Sequence, residues 1–119
     1  MIKENALKCK SYEFAIRIVK LSQYLQTEQK EFVLSKQILR SGTAVGALIR
    51  EAEYGQSKTD FIHKLTISLK EANETEYWIS ILKDTGYIDY KLYDNPVNDC
   101  KELLRLLITS IKTAKQNNE

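Results

Sequence analysis

Residues 96–115 read PVNDCKELLRLLITSIKTAK. Apolar or small side chains recur in this stretch at alternating intervals of three and four positions, namely Val97, Cys100, Leu104, Leu107, Ile111 and Ala114. That spacing places them on one face of an α-helix. Asn95 before Pro96 is typical of an N-cap followed by the residue favoured at the first helical position. The stretch therefore predicts an amphipathic helix over residues 96–116, and residues 89–94 could form one helical turn ahead of it.

Two earlier stretches have similar patterns. The first, predicted as a helix over residues 5–26, has apolar residues spaced four, three and four apart, at Phe14, Ile18, Leu21 and Leu25. The second is predicted over residues 30–54, with Thr27 as a plausible N-cap and Glu28 and Glu31 suited to its positive end. Gly55 would end this helix in the left-handed conformation.

The third helix is predicted over residues 57–85. Ser57 and Asp60 have the spacing of a capping box at its start, and Gly86 marks its end. Phe61, Leu65 and Leu69 begin its apolar face. Four amphipathic helices with short connections predict an all-α fold, an up-down-up-down antiparallel four-helix bundle.

The composition agrees with one helical domain over residues 1–119. Hydrophobic residues make up 43% of the chain and charged residues 29%, which suits a packed core and argues against disorder. Four Gly and one Pro are too few for the turns of a β-sandwich or barrel. With no signal-like or membrane-spanning stretch, we expect a cytoplasmic protein that does not engage a membrane. Cys9 and Cys100 are expected to be reduced thiols packed as small hydrophobes.

Two glycines lie inside the second predicted helix. Gly42 and Gly46 are four residues apart and so share a face, where they would let another backbone approach closely. If the turn centres on residues 55–57, they lie opposite Leu69 and Leu65 of the third helix. We interpret them as a helix-packing device, with a ligand-binding loop as the alternative; the segment lacks a phosphate-binding motif.

The same antiparallel register predicts a row of charges between the second and third helices. Arg40 should lie near Glu71, and Lys36 near Glu74 and Glu76. These residues either form half-exposed ion pairs, each worth about 0–1 kcal/mol, or set the helix register and line a subunit contact. Trp78 is interpreted as core or interface filling.

Nothing in the chain predicts catalysis. His63 is the single histidine, which excludes the paired histidine motifs of zinc and di-iron sites. Asp60 lies three residues before it, but two ligands leave a zinc site incomplete. A Ser-His-Asp set would need partners that the sequence does not indicate. We therefore expect no enzyme activity, no metal and no cofactor.

The net charge is only +2, but the basic residues are unevenly distributed. Residues 1–27 hold five basic and two acidic side chains. In an up-down bundle, the start of the first helix and the end of the fourth share one pole, and the basic residues expected to gather there are Lys3, Lys8, Lys10, Lys112 and Lys115, with Lys58 and Arg50 nearby. The opposite pole would collect the acids Glu28, Glu31, Asp84, Asp89, Asp94 and Asp99. The candidate nucleic-acid contacts are Lys8, Lys10, Arg17, Lys20, Arg40, Arg50, Lys112 and Lys115.

Several blocks resemble a known family. They include SYEFA at residues 11–15, FVLSKQILRSGT at residues 32–43 and LKEANETEYW at residues 69–78. The chain resembles the four-helix-bundle proteins encoded in intervening sequences of bacterial 23S ribosomal RNA genes. This resemblance implies a homo-oligomer, a pentameric ring of bundles, without established catalytic residues. The family is similar to the accessory protein of diversity-generating retroelements, a basic pentamer that partners a reverse transcriptase and nucleic acid.

Two functions follow as hypotheses. The first is an oligomer that associates with RNA or DNA through basic surfaces, and a ring would multiply the charge of each chain. The second is a scaffold or accessory subunit that docks a partner protein and does not bind nucleic acid directly. The modest total charge and the block from Glu71 to Trp78 favour the second. No arrangement of stacking aromatic residues can be read from the sequence.

Overall fold

The computed structural model describes residues 4–117 of the 119-residue chain, with side chains from residue 6. Its helices are α1 (Glu4–Thr27), α2 (Leu34–Glu53), α3 (Lys58–Asp84) and α4 (Tyr90–Gln116), and residues 4–117 contain no strand. Each helix contacts the next, and α1 also contacts α4. The molecule measures 51 × 21 × 19 Å. The predicted all-α four-helix bundle is confirmed.

The helices alternate in direction around one core. Arg17 of α1 pairs with Asp99 of α4, and Lys10 pairs with Glu102, so α1 and α4 are antiparallel. The core is formed by the apolar face of each helix, including Phe14, Ile18, Ile38, Val45, Leu65, Ile79, Leu103 and Leu107. The start of α1 and the end of α4 therefore do share one pole.

The second helix begins at Leu34, four residues later than expected. Thr27 is the last residue of α1, where its hydroxyl donates to the Gln23 carbonyl at 2.9 Å, so it is not an N-cap. Lys30 turns the chain with a φ of 54°. The buried Glu31 carboxylate then accepts hydrogen bonds from the backbone N–H groups of residues 33, 34 and 35, at 3.2, 2.9 and 2.7 Å. The predicted role of Glu31 at the start of the helix is confirmed, whereas the predicted boundary is wrong.

The fourth helix begins at Tyr90 and not at residue 96. Asp89 is its N-cap, with a carboxylate that accepts from the Leu92 N–H at 2.9 Å. Residues 89–94 therefore belong to the start of α4, and Pro96 lies inside the helix. Pro96 has no N–H to donate within the helix. Its side chain is buried, and this burial offsets the missing hydrogen bond.

The turns before and after α3 confirm only some of the roles predicted for their residues. Ser57 caps α3 by accepting from the Asp60 N–H at 3.0 Å, as the capping box predicts. Gly86 has a left-handed φ of 88°. The φ of Gly55 is not left-handed, so the left-handed conformation predicted for Gly55 is wrong. A Cβ at Gly55 would lie 2.9 Å from an Asp60 carboxylate oxygen and 3.1 Å from the Ala52 carbonyl, so glycine allows this tight turn without displacing either group.

The two helical glycines pack against α1, not α3. A Cβ on Gly42 would lie 2.8 Å from Cγ2 of Ile18, and one on Gly46 would lie 3.2 Å from the Ser11 hydroxyl. The packing role is supported, but the predicted partners Leu69 and Leu65 are wrong. The glycines lie on the side of α2 that turns towards α1.

Small hydroxyl residues of both helices lie in the contact between α2 and α3. The Ser41 and Thr75 hydroxyls lie 2.7 Å apart, and Ser68 donates to the Val45 carbonyl at 2.8 Å. All three side chains are buried. Because buried hydroxyls need partners, these contacts fix the register between α2 and α3.

Candidate nucleic-acid interface

Half of the eight candidate basic residues lie in ion pairs. Lys8 pairs with Glu53 at 3.0 Å, Lys10 with Glu102 at 3.3 Å and Arg17 with Asp99 at 2.8 Å, in each case across two helices. Arg40 of α2 pairs with Glu71 and Glu74 of α3. These four cations are therefore partly neutralised within the chain, which weakens their case as phosphate contacts.

The other four candidates have no carboxylate partner among the described side chains. All four are exposed and make no ion pair there: Lys20, Arg50, Lys112 and Lys115. They do not form one cluster, because Lys20 lies on α1 and Arg50 on α2. Lys3, which the sequence placed at the same pole as Lys112, lies outside the described residues.

The last helix presents a basic stripe that sequence reasoning found only in part. Its members are exposed and spaced four, three, four and three residues apart, namely Lys101, Arg105, Ile108, Lys112 and Lys115. At about 100° per residue they span about 80° of the helix surface. Sequence reasoning missed Lys101 and Arg105. A signal was available, because residues 103–117 hold three basic residues and no acidic one.

The α4 basic stripe has the dimensions of a nucleic-acid backbone contact. Lys101 and Lys115 are fourteen residues apart, or about 21 Å along the helix. The side chain of Arg105 is 66% exposed, and its one ion pair, with Glu102 on the same helix, is long at 3.7 Å. Lysine and arginine on a single exposed face can each neutralise a phosphate and release its counterions. The stripe therefore places four cationic side chains along about 21 Å of one exposed face.

A second polar cluster joins α2 to α3. The Glu74 carboxylate accepts from Arg40 and, at 3.0 Å, from the Trp78 indole N–H. Glu71 also accepts from Arg40, at 3.2 Å. Arg40 therefore lies next to Glu71 as predicted, but it also takes the place next to Glu74 that the sequence assigned to Lys36.

Glu76 does not belong to this cluster. It lies beside Cys100 of α4, where its charge is one cause of the raised pKa of that thiol. Trp78 is half-buried and packs against the core, with the exposed Tyr77 ring in edge contact at 5.2 Å. The four residues predicted as one interface block are thus divided between the two sides of α3.

Part of the outer surface of α1 is apolar. Cys9, Tyr12 and Ile16 are exposed and lie three and four residues apart, which places them on one face, called here the α1 apolar face. Beside it, a groove of about 260 Å³ runs between α1 and α2 over small residues such as Ala15 and Ala47. An apolar helix face bordered by a shallow groove is typical of a protein-protein contact.

The two cysteines have different environments. Cys100 is buried, and its Sγ lies 3.1 Å from the Ala72 carbonyl. Burial is the main cause that raises the pKa of this thiol to about 12, and the charges of Glu76 and Asp99 add to the effect. Cys9 is exposed, so the expectation that both thiols are packed is wrong for Cys9.

The described side chains offer little for metal chemistry. His63 is exposed. Among residues 6–117, no three histidine, cysteine or acidic side chains lie close enough together to hold a metal ion. Within residues 4–117, no helix combines the length and the apolar character needed to cross a membrane.

The chain was compared with known families, proteins and structures. The model of the 23S rRNA-intervening sequence protein family matches residues 3–109. A crystal structure from Bacteroides thetaiotaomicron VPI-5482, of a protein with unknown function from the S23 ribosomal protein family, is similar at 59% identity and a TM-score of 0.91. The similarity covers 93% of this chain and 99% of that one. No curated protein matches the sequence.

Proposed function

Because the chain belongs to the 23S rRNA-intervening sequence protein family, we propose that it is a non-enzymatic homo-oligomer that associates with RNA through basic surfaces. The observation that carries this proposal is the α4 basic stripe. Its lysines have no carboxylate partner among residues 6–117, so their charge is available to an external anion. The family name points to RNA as the nucleic acid to test first.

The proposed assembly rests on the α1 apolar face. Tyr12 and Ile16 are large side chains that are 60% and 41% exposed, and burying them against another copy would be favourable. We propose that this face lies in the subunit contact and that the oligomer is the pentameric ring implied by the family resemblance. Such an assembly would present five α4 basic stripes, and simultaneous contacts raise overall affinity.

The absence of catalysis is part of the proposal. The buried Cys100 thiol stays protonated near neutral pH because its pKa is raised to about 12, so it is a poor nucleophile. His63 is exposed on α3 and makes no ion pair with a described carboxylate. Neither side chain has the partners that general base or nucleophilic catalysis requires.

The test is fluorescence anisotropy of labelled RNA over a salt series, on nuclease-treated protein of known oligomeric mass. The triple variant combines Lys101→Gln, Lys112→Gln and Lys115→Gln. Each stripe that contacts the RNA then loses three phosphate contacts. For each such stripe, the slope of log affinity against log salt concentration should become shallower by about 2. The matched control carries Gln at three exposed lysines on other surfaces, Lys36, Lys70 and Lys91. Equal slopes for the two triple variants would reject the stripe as the RNA surface.

The second candidate function is a protein-binding scaffold. It is favoured by the cluster of Arg40, Glu74 and Trp78 with the exposed Tyr77 beside it, a surface of aromatic and paired charged groups that suits a protein partner. Absence of RNA binding even at low salt would select this function. Charge reversal at Glu74 then tests whether the cluster is a subunit contact, since an unchanged oligomeric mass would exclude it.

A further inference from the structure

Tyr54 projects from the turn between α2 and α3. Its side chain is 82% exposed, the highest value among the large apolar and aromatic residues that the structure describes as exposed. The backbone beneath it is held in place, because the Tyr54 N–H donates to the Glu51 carbonyl at 3.1 Å and the Gly55 N–H to the Ala52 carbonyl at 3.0 Å. A rigid turn thus holds an aromatic ring in water, where it packs on little of its own chain.

Open grooves lie beside this ring. One, of about 500 Å³, is lined by Tyr54 together with Phe61 and Lys58. The other, of about 880 Å³, is lined by Tyr54 and Arg50. Both volumes fall within the range of about 300–1,000 Å³ that is typical of small-molecule sites. Each groove therefore combines an aromatic surface with a cationic side chain.

The cations around Tyr54 remain available to an anion, and two of the three nearby acids are paired with lysines. Glu53 pairs with Lys8 and Glu51 with Lys64, whereas Asp60 accepts from the backbone N–H of Gln56 and keeps its negative charge. Arg50 makes no ion pair with a described carboxylate. Lys58 donates to the backbone carbonyl of Asn117, which does not neutralise its charge.

The Lys58 contact also links this turn to the α4 basic stripe. Asn117 follows Lys115, the last member of the stripe, by two residues. The hydrogen bond from Lys58 to Asn117 therefore brings the end of the stripe to the start of α3, beside the groove lined by Tyr54. The end of the stripe and the turn that carries Tyr54 therefore lie at the same pole of the bundle.

We propose that Tyr54 is a stacking site for an unpaired nucleobase of RNA, placed where the α4 basic stripe ends. This inference rests on the proposed function and specifies its ligand as RNA with unpaired nucleotides. Exposed aromatic rings next to cations are the usual means of holding single strands, because every base has a face that can stack on a ring. In a duplex the bases are paired and stacked on one another, so a duplex engages the stripe and gains nothing from Tyr54.

The test compares a single-stranded RNA of twelve nucleotides with a duplex of the same length and sequence, both by anisotropy. Tyr54→Leu should weaken single-strand binding about five-fold or more, the lower end of what loss of one stacked base causes, and leave duplex binding unchanged. Tyr54→Trp should retain single-strand binding. Tyr77→Leu is the matched control, since Tyr77 is 59% exposed and lies in the second half of α3, away from this turn. A single strand that carries 2-aminopurine should change its fluorescence on binding the wild type, and this change should be lost on binding Tyr54→Leu.

The outcomes separate this inference from the function beneath it. If the wild type binds single strands and Tyr54→Leu binds them equally well, or weakens duplex binding to the same degree, the stacking site is overturned while RNA association stands. If the wild type binds neither the single strand nor the duplex, the stacking site and the proposed RNA association are both rejected. A change in oligomeric mass with Tyr54→Leu would also overturn the inference, because Tyr54 would then belong to a subunit contact.

Discussion

Replacing Gly42 with Ala tests the packing of α2 on α1. The new Cβ would lie 2.8 and 2.9 Å from Cγ2 and Cγ1 of Ile18, distances at which atoms must move. Ile18 is fully buried and β-branched, so its side chain has little freedom to yield. Overpacking of this kind costs about 1–3 kcal/mol, whereas Gly to Ala inside a helix gains about 1 kcal/mol. Because the neighbour is rigid, we expect the strain to lie in the upper part of that range, at about 2–3 kcal/mol, which leaves a net loss of about 1–2 kcal/mol.

Gly46→Ala is the matched control. Its Cβ would lie 3.2 Å from the Ser11 hydroxyl, a group that can shift by a few tenths of an ångström, so we expect little change or a small gain in stability. The measurement is urea unfolding followed by circular dichroism at one protein concentration, because assembly would make stability depend on concentration. The expected loss for Gly42→Ala corresponds to a fall in Tm of about 4–8 °C.

A double-mutant cycle identifies the clashing residue. Ile18→Ala alone should cost about 2–5 kcal/mol through the cavity it leaves. In that background Gly42→Ala should become neutral or stabilising, since both clashing carbons are gone, and the two changes should couple strongly. Leu69→Ala, at the position that the sequence register placed opposite Gly42, should show no such coupling. Equal losses for Gly42→Ala in the presence and absence of the Ile18→Ala change would refute this account.

Four further predictions concern buried polar groups and the two cysteines. Glu31→Ala should destabilise the chain by about 1–2 kcal/mol in urea unfolding, because three backbone N–H groups lose their acceptor, and Glu31→Gln should lose less. Thr75→Val should cost about 1 kcal/mol because the buried Ser41 hydroxyl loses a partner, and equal stability would show that Ser41 finds another. At pH 8 a thiol reagent should label Cys9 at once and Cys100 only after unfolding; rapid labelling of both would contradict the raised pKa of Cys100. The raised pKa of Cys100 also makes stability depend on pH. Its contribution to the free energy of unfolding is complete below pH 9.0 and falls as the pH rises to about 12, because the thiol of the unfolded chain ionises first. Cys100→Ala should remove this decline.

The sequence predicted the helices well because each one repeats an apolar pattern over many turns. It predicted the start of α4 wrongly because local signals conflicted. Asn95 and Pro96 form a good helix start by themselves, but Asp89 caps the chain one and a half turns earlier and the buried Pro96 side chain stays inside the helix. Burial against neighbouring helices is a tertiary effect, and local sequence does not contain it.

The direction of the glycines was missed for a related reason. Spacing shows that Gly42 and Gly46 share a face, but either neighbouring helix could cover that face. The hydroxyls of Ser41 and Thr75 decide it, because their hydrogen bond turns another side of α2 towards α3 and leaves the glycines for α1. A hydrogen bond between two buried hydroxyls thus decides whether the glycines pack on α1 or on α3.

The basic surface could be predicted only in part, because charge counts do not reveal pairing. The first 27 residues hold more cations than acids, yet Lys10 and Arg17 meet Glu102 and Asp99 of α4. The excess therefore appears elsewhere. It lies on the part of α4 that follows Glu102, where no acidic residue occurs up to residue 117. A net charge of +2 is compatible with a concentrated basic stripe for this reason.

Assembly and RNA binding can operate together if they use different surfaces. Ile16 lies on α1, and the α4 basic stripe occupies the exposed side of another helix. Ile16→Asp should therefore lower the oligomeric mass while leaving the stripe intact, and RNA affinity should fall because only one stripe engages each RNA. Leu92→Asp is the control, since Leu92 is similarly exposed on α4. The Lys101, Lys112 and Lys115 triple variant should show the converse, normal mass with weak binding. If Ile16→Asp is monomeric and binds RNA as tightly as the wild type, the ring does not contribute to affinity, and the reason proposed here for assembly is wrong.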